Sequence, residues 1–279
     1  MGLKIESVGQ QTDLLVHEYT WKDVVLYALG CGATLEELDY LYEGRGPKVL
    51  PTYAVVPTFA ALHALLPVTG GDMLGVVHGS QSIQLHRPIP AEGVMNTVGT
   101  VAGVYDLKRL AQAVYTTETR DAEGELLFET TWTIIFLKDG GFGGERPART
   151  PRVKYPERAP DFEVTETTQP TQAMLYRLSG DLNPLHADPE IGEKAGFGRP
   201  ILHGLCTYGY VGRALVRHAC DGDPSRLTSF EGRFTKPVWP GDTLVVQGWK
   251  EDEGRVLLKA ATKENPDEDV FGNAYAVVR

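Results

Sequence analysis

The chain has 279 residues, 37 acidic and 27 basic, for a net charge of −10. It shows no Lys/Arg cluster, which excludes a nucleic-acid binder that must meet phosphates with a basic face. With 42% hydrophobic residues it can fill a packed core, and its 31 glycines and 18 prolines suit turns and sheet edges better than a helical bundle.

Reading from the N-terminus, MGLKIESVGQQTDLL has neither a long apolar stretch nor a cleavage site, so a secretory signal is not expected. A short helix follows at 22–29, then a loop-rich segment, then an apolar helix at 58–66. Alternating patterns predict strands near 80–88, 94–104, 107–120 and 125–137. Within the last of these, Phe128, Trp132, Ile134 and Phe136 show the period of two that buries one sheet face. The stretch DGGFGGERPARTPRVKYPERAP, 139–160, is rich in Gly, Pro and Arg without hydrophobic period and reads as a linker.

The same order then repeats, with a helix at 171–178, a loop, a helix from Gly204 to about 216, and strands near 228–237, 243–250, 255–263 and 269–278. LYALGCG at 26–32 matches LYRLSGD at 175–181, and HRPIPAEG at 86–93 matches TKPVWPGD at 235–242, both at an offset of 149 residues. Two segments at one offset indicate an internal duplication. The helix from Gly204 is apolar almost all round, so it should be buried. The economical solution is an α+β double hot-dog fold, two antiparallel sheets each wrapped around a central helix as a pseudo-dimer within one chain. Its halves would be 1–138 and 161–279.

Segment 176–204, YRLSGDLNPLHADPEIGEKAGFGRPILHG, concentrates the chemistry. Asn183-Pro184 signals a turn that can bring Asp181 and His186 together around one water. Asn183 can position that water or the acid. Gly204 opens the buried helix, where unpaired N–H groups and the helix dipole favour negative charge, an oxyanion-hole arrangement. The bland alternative has Asp181 capping a turn and His186 as an ordinary loop residue. Against it, the 149-residue offset places Gly32, Thr34 and Glu37 opposite Asp181, Asn183 and His186, and Ala54-Val55 opposite His203-Gly204, so one copy alone holds the polar set. A metal at Asp181, His186, Asp188 and His203 is the competing reading, and their spacing fits no metal-binding pattern. No metal or cofactor is expected. Cys31, Cys206 and Cys220 read as reduced thiols.

The same segment resembles the signature of the (R)-specific enoyl-CoA hydratases, hydratase 2, within the MaoC-like dehydratases. HGSQSIQLHRPIP at 78–90 is similar to the HGEQ-type strand in the first half of two-domain members, and RFTKPVWPGDTL at 233–244 to the strand and turn after the second central helix. The resemblance implies syn addition of water to a trans-2-enoyl-CoA, giving a (3R)-3-hydroxyacyl-CoA. It implies Asp181 and His186 as the proton-handling pair, Asn183 as their assistant, and the Gly204 amide on the thioester oxygen. Substrate contacts would come from His78, Gly79, Phe234 and, near the CoA phosphates, Lys108. The first half would have lost catalysis and widened its channel for a bulky acyl chain. An acyl-CoA partner is expected, with no nucleic acid and no membrane, since no segment approaches 18 uninterrupted apolar residues. Quaternary state stays open, a homodimer of the two-unit chain being one arrangement the reading allows. The C-terminal Ala-Val-Val-Arg is not a peroxisomal address, which points to a cytoplasmic enzyme. A hot-dog thioesterase, a dehydratase acting on carrier-protein substrates and a non-catalytic acyl-CoA-binding module stay open. CoA release from saturated acyl-CoA would mark the first, and binding without turnover the last.

Overall fold

A computed structural model describes residues 2–149 and 151–279. In chain order the first half contains β1 (Leu15–Tyr19), α1 (Trp21–Gly30), α2 (Leu38–Leu41), α3 (Val55–Thr69), β2 (Val76–Leu85), β3 (Gly93–Asp106), β4 (Ala111–Arg120) and β5 (Leu126–Phe136). The second contains β6 (Phe162–Thr167), α4 (Gln172–Tyr176), α5 (Pro189–Lys194), α6 (Gly204–Ala219), β7 (Leu227–Phe234), β8 (Thr243–Lys250), β9 (Arg255–Thr262) and β10 (Asn265–Val278). All ten strands form one sheet in the order β1-β3-β4-β5-β2-β7-β10-β9-β8-β6, with every pairing antiparallel. Five strands from each half meet at β2 and β7, which makes a double hot-dog.

The register carries the internal two-fold. β2 and β7 pair Ser80 with Arg233, Ser82 with Glu231 and Gln84 with Ser229. Moving any pair by 149 residues returns another pair of the same ladder, so the axis runs through Ser82 and Glu231. The outer ladders obey the same offset: Leu15 pairs with Thr97, and Val164 pairs with Val246. The start of α3 at Val55 and of α6 at Gly204 are also 149 residues apart.

The two central helices are seated differently. α6 touches β7, β8, β9 and β10 about equally, whereas α3 packs chiefly on β3 and β4. The segment Pro51–Thr69, ending in α3, is apolar and long enough by composition to cross a bilayer. Its buried residues, Leu62 and Leu65 among them, join the main hydrophobic cluster, as a core helix does. α6 also packs on the first half, where a Cβ on Gly209 would overlap the Cys31 sulfur and one on Gly212 would overlap Thr52. From α6, the buried Arg213 reaches Cys31 C=O at 3.1 Å, the Glu37 carboxylate at 2.6 Å, and the carboxylate of Glu166 on β6. The three cysteines are free and buried.

Several expected bounds shift: the helix expected at 58–66 runs Val55–Thr69, the strand expected to reach 237 ends at Phe234, and the one expected from 269 begins at Asn265. The strand expected from 107 begins at Ala111, because residues 107–110 make the β3–β4 turn with Lys108 at φ 75°. The strand expected from 80 begins at Val76, with a register shift at His78/Ser80. Between β5 and β6 the described residues form no helix or strand. Part of this stretch is held down by Asp106, whose carboxylate accepts N–H groups from Gly141 at 2.9 Å and Gly143 at 2.7 Å.

Candidate active site

The site begins with a turn. Asp181 Oδ1 accepts the Asn183 N–H at 3.1 Å, and Asn183 Oδ1 accepts the Leu185 N–H at 3.0 Å, capping the single 3₁₀ turn Pro184–His186. Proline at its first position suits a turn start, where its missing N–H costs nothing. The Asn183 side-chain oxygen is thus committed to shaping the turn, with its amide nitrogen left over. His186 Nδ1 lies 2.8 Å from Ile201 C=O. A carbonyl only accepts, so Nδ1 carries the proton and Nε2 is the basic nitrogen.

His186 is buried and stacked on His203, with ring centroids 3.8 Å apart and planes 28° apart. A carboxylate oxygen of Asp181 and one ring nitrogen from each of His186 and His203 lie within 4.8 Å of one another. Burial lowers the His186 pKa, opposed by the Asp181 charge and by the hydrogen bond to Ile201. The ring is therefore neutral and basic at neutral pH.

These residues border a cavity of ≈ 360 Å³ between the halves. The second half supplies Asp181, Asn183, His186, Gly204 and Phe234. Gly204 is the first residue of α6, and His203 before it makes no side-chain cap. Its amide lies among the first N–H groups of the helix, which have no intrahelical acceptor. A Cβ at 204 would press on the Phe234 ring at 3.2 Å, so glycine keeps this amide approachable. The first half supplies an apolar wall from α3 (Phe59, Leu62, Leu66) and β5 (Trp132, Ile134).

His78 also borders the cavity, stacked on Trp132 at 5.1 Å and tilted on Phe234 at 4.7 Å. Its Nε2–H donates to Ser80 C=O at 3.0 Å, and burial pushes its pKa down to about 4. It is a neutral aromatic wall. Gly79 sits off the cavity at the β2 irregularity, where a Cβ would meet Ile135 at 2.9 Å. Lys108 also lies off the cavity, in the β3–β4 turn that its own positive φ helps to form. Among the described residues, the cation that borders the cavity is Lys236, exposed and paired with Glu268 at 2.8 Å. His63, Phe197 and Ile201 carry no local signal in the sequence, because only the assembled helices and loops bring them to this wall.

A metal fits poorly. Asp188 is spent capping α5 through the Glu190 N–H. Stacked imidazoles send their in-plane lone pairs side by side, not toward a common point, and each of the two rings already spends a nitrogen on a carbonyl.

The internal two-fold carries this cavity onto a smaller cleft of ≈ 200 Å³. Leu85–Ile89 there stand where Phe234–Val238 stand here, and Leu227 stands in place of His78. At the positions of Asp181, His186 and Gly204 the first half has Gly32, Glu37 and the buried Val55, with Glu37 tied to Arg213.

Residues 17–138 match the family model described as MFE-2 hydratase 2 N-terminal domain, and residues 152–268 match that of the MaoC like domain. The chain is 41% identical to 3-hydroxyacyl-thioester dehydratase Y of Mycobacterium tuberculosis, over 93% of this chain and 91% of that protein. It is 38% identical to the peroxisomal enoyl-CoA hydratase 2 of Arabidopsis thaliana, over 89% and 87% of the two. Among solved structures, a MaoC-like dehydratase from Phytophthora capsici superposes with a TM-score of 0.89 at 29% identity, covering 99% of this chain and 98% of that one.

Proposed function

This chain belongs to the MaoC-like dehydratases and carries the hydratase 2 N-terminal half, and from that premise we propose that this hydro-lyase hydrates trans-2-enoyl-CoA in the cavity between its halves, giving the (3R)-3-hydroxyacyl-CoA. The observation that carries the reading is the meeting of Asp181, His186 and Gly204 on one cavity that the first half lines largely with apolar side chains.

The thioester oxygen lies at the Gly204 N–H, at the positive end of α6. Water held by Asp181 and His186 loses a proton to the pair, and its oxygen bonds to C3. The C2=C3 electron pair moves into the C1–C2 bond, and the carbonyl π pair moves onto the oxygen at Gly204. A proton is then returned to C2, the carbonyl re-forms, and water has been added overall. Both new bonds form from the same face, because the pair and the water lie on one side of the bound chain. Dehydration is the same path reversed.

The first half acts as acyl-chain wall, its own copy of the site having no acid/base pair. Leu62→Trp is expected to lower kcat/KM for a long-chain enoyl-CoA by roughly tenfold or more, about 1.4 kcal/mol, while the four-carbon crotonyl-CoA is hydrated as before. Graded enoyl-CoAs followed by loss of enoyl absorbance, with chiral analysis of the product, test both claims. Free CoA released from saturated acyl-CoA, without hydration, would support a thioesterase instead.

The pH dependence follows from the protonation state. The base works neutral, and burial lowers its pKa. kcat/KM should therefore stay level through neutral pH and fall only below about 6.5, the ordinary histidine value. An acid limb above that value in the free-enzyme profile would remove His186 as the base.

A further inference from the structure

Resting on that reading of the site, we propose that His203 is a positioning residue that holds both members of the catalytic pair in place. It touches each of them. Its Nε2–H donates to the backbone C=O of Asp181 at 3.2 Å, and its face lies on the His186 ring at 3.8 Å between centroids. It is fully buried, and Tyr176 flanks it with ring centroids 5.0 Å apart. Since Nε2 must carry the hydrogen, Nδ1 is a bare acceptor, and it has no protein partner among the described residues. A buried polar atom left unpaired costs stability. A leucine or phenylalanine here would avoid that cost, so the imidazole is retained for what its other nitrogen and its face do.

Each contact constrains a different catalytic group. The Nε2–H bond ties down the backbone carbonyl of Asp181, whose side chain is held separately by the Asn183 N–H. The ring face fixes the His186 plane, already fixed at its edge by Ile201. His186 therefore cannot turn its Nε2 away without breaking the Ile201 bond or the stack. His203 also shields His186 from water, which keeps that ring neutral. The charged and titratable groups around the two imidazoles are Asp181, Arg177 and Tyr176 from the second half, with His78, His63 and Lys236 bordering the same cavity. Burial, with His186 and Arg177 nearby, pushes His203 well below the ordinary histidine value, so its own charge plays no part.

Two variants separate the two contacts. His203→Phe keeps a ring against His186 but cannot donate to Asp181 C=O. His203→Gln keeps a donor but loses the ring. Both are measured for folded fraction by thermal melting, for crotonyl-CoA kinetics per folded molecule, and for the His186 titration midpoint by NMR. Each should lose kcat by roughly 10- to 100-fold, the scale of a misplaced catalytic group, with KM changed by less than about twofold. The His186 midpoint should rise in His203→Gln, where water reaches the ring, and stay in place in His203→Phe. A kcat per folded molecule equal to the parent's in both variants overturns the proposal, as does an unmoved midpoint in His203→Gln. If His203→Gln does not fold, the kcat of His203→Phe decides. A parent that leaves enoyl-CoA unchanged overturns the proposed function instead, and the midpoint still decides on His203.

Discussion

Asp181→Asn and His186→Gln should each lower kcat for crotonyl-CoA hydration by roughly 10²–10⁴, the range for loss of a positioned acid/base group, with melting unchanged. The asparagine variant is the sharper of the two. It keeps the Oδ1 that accepts the Asn183 N–H, so the turn survives while the carboxylate charge is lost. His186→Gln removes the basic nitrogen at a ring that already spends its other nitrogen on Ile201. Because the two groups handle one proton, the double variant should be little worse than either single one. The residual rate would belong to the Gly204 amide and to substrate binding. Stopped-flow and steady-state kinetics on variants with matched melting curves check this, and turnover near the parent's in either variant removes that residue from the chemistry.

Arg213→Met is expected to destabilise the protein by about 3 kcal/mol, the lower end of the cost of breaking a buried ion pair. The lower end applies because the Glu166 side chain is 27% exposed, although those of Arg213 and Glu37 are 3% and 10% exposed. Methionine fills the stem's space but leaves Glu37 and Glu166 facing each other and Cys31 C=O without its donor. Burial already raises the Glu166 pKa, with Arg213 pulling it down. Without the arginine it rises further, so the carboxyl binds a proton in the folded state more readily than in the unfolded one. The stability gap between parent and variant should therefore narrow as pH falls from about 7 toward about 5. Denaturant melts at both values test the sign, and a gap that widens in acid would contradict this account of the cluster.

Much of this architecture is legible in the chain itself. The 149-residue offset found in two short strings is the offset that maps the β2–β7 ladder onto itself, and the helix expected at Gly204 starts there. Segment 181–204 is recognisable because turn residues, an acid and an imidazole are crowded into one stretch. What is not legible depends on partners distant in sequence. The edge strands β1 and β6 are five and six residues long, with one face in solvent, and they gain their identity by pairing with β3 and β8. Lys108 looks well placed for a phosphate until the chain turns through it. The neutrality of His78 comes from Trp132 and Phe234, 54 and 156 residues away. Arg213 sits in a helix that reads as apolar, and its reason for being there is two carboxylates supplied by other elements.

Joining two hot-dog units through the β2–β7 ladder and the Arg213 cluster has a kinetic consequence. A cleft shared between separate subunits is lost when they part, so such an enzyme weakens on dilution. Here both walls belong to one polypeptide, and their local concentration is set by the covalent chain. Mass action has no hold on the completeness of this cleft, however scarce the protein becomes.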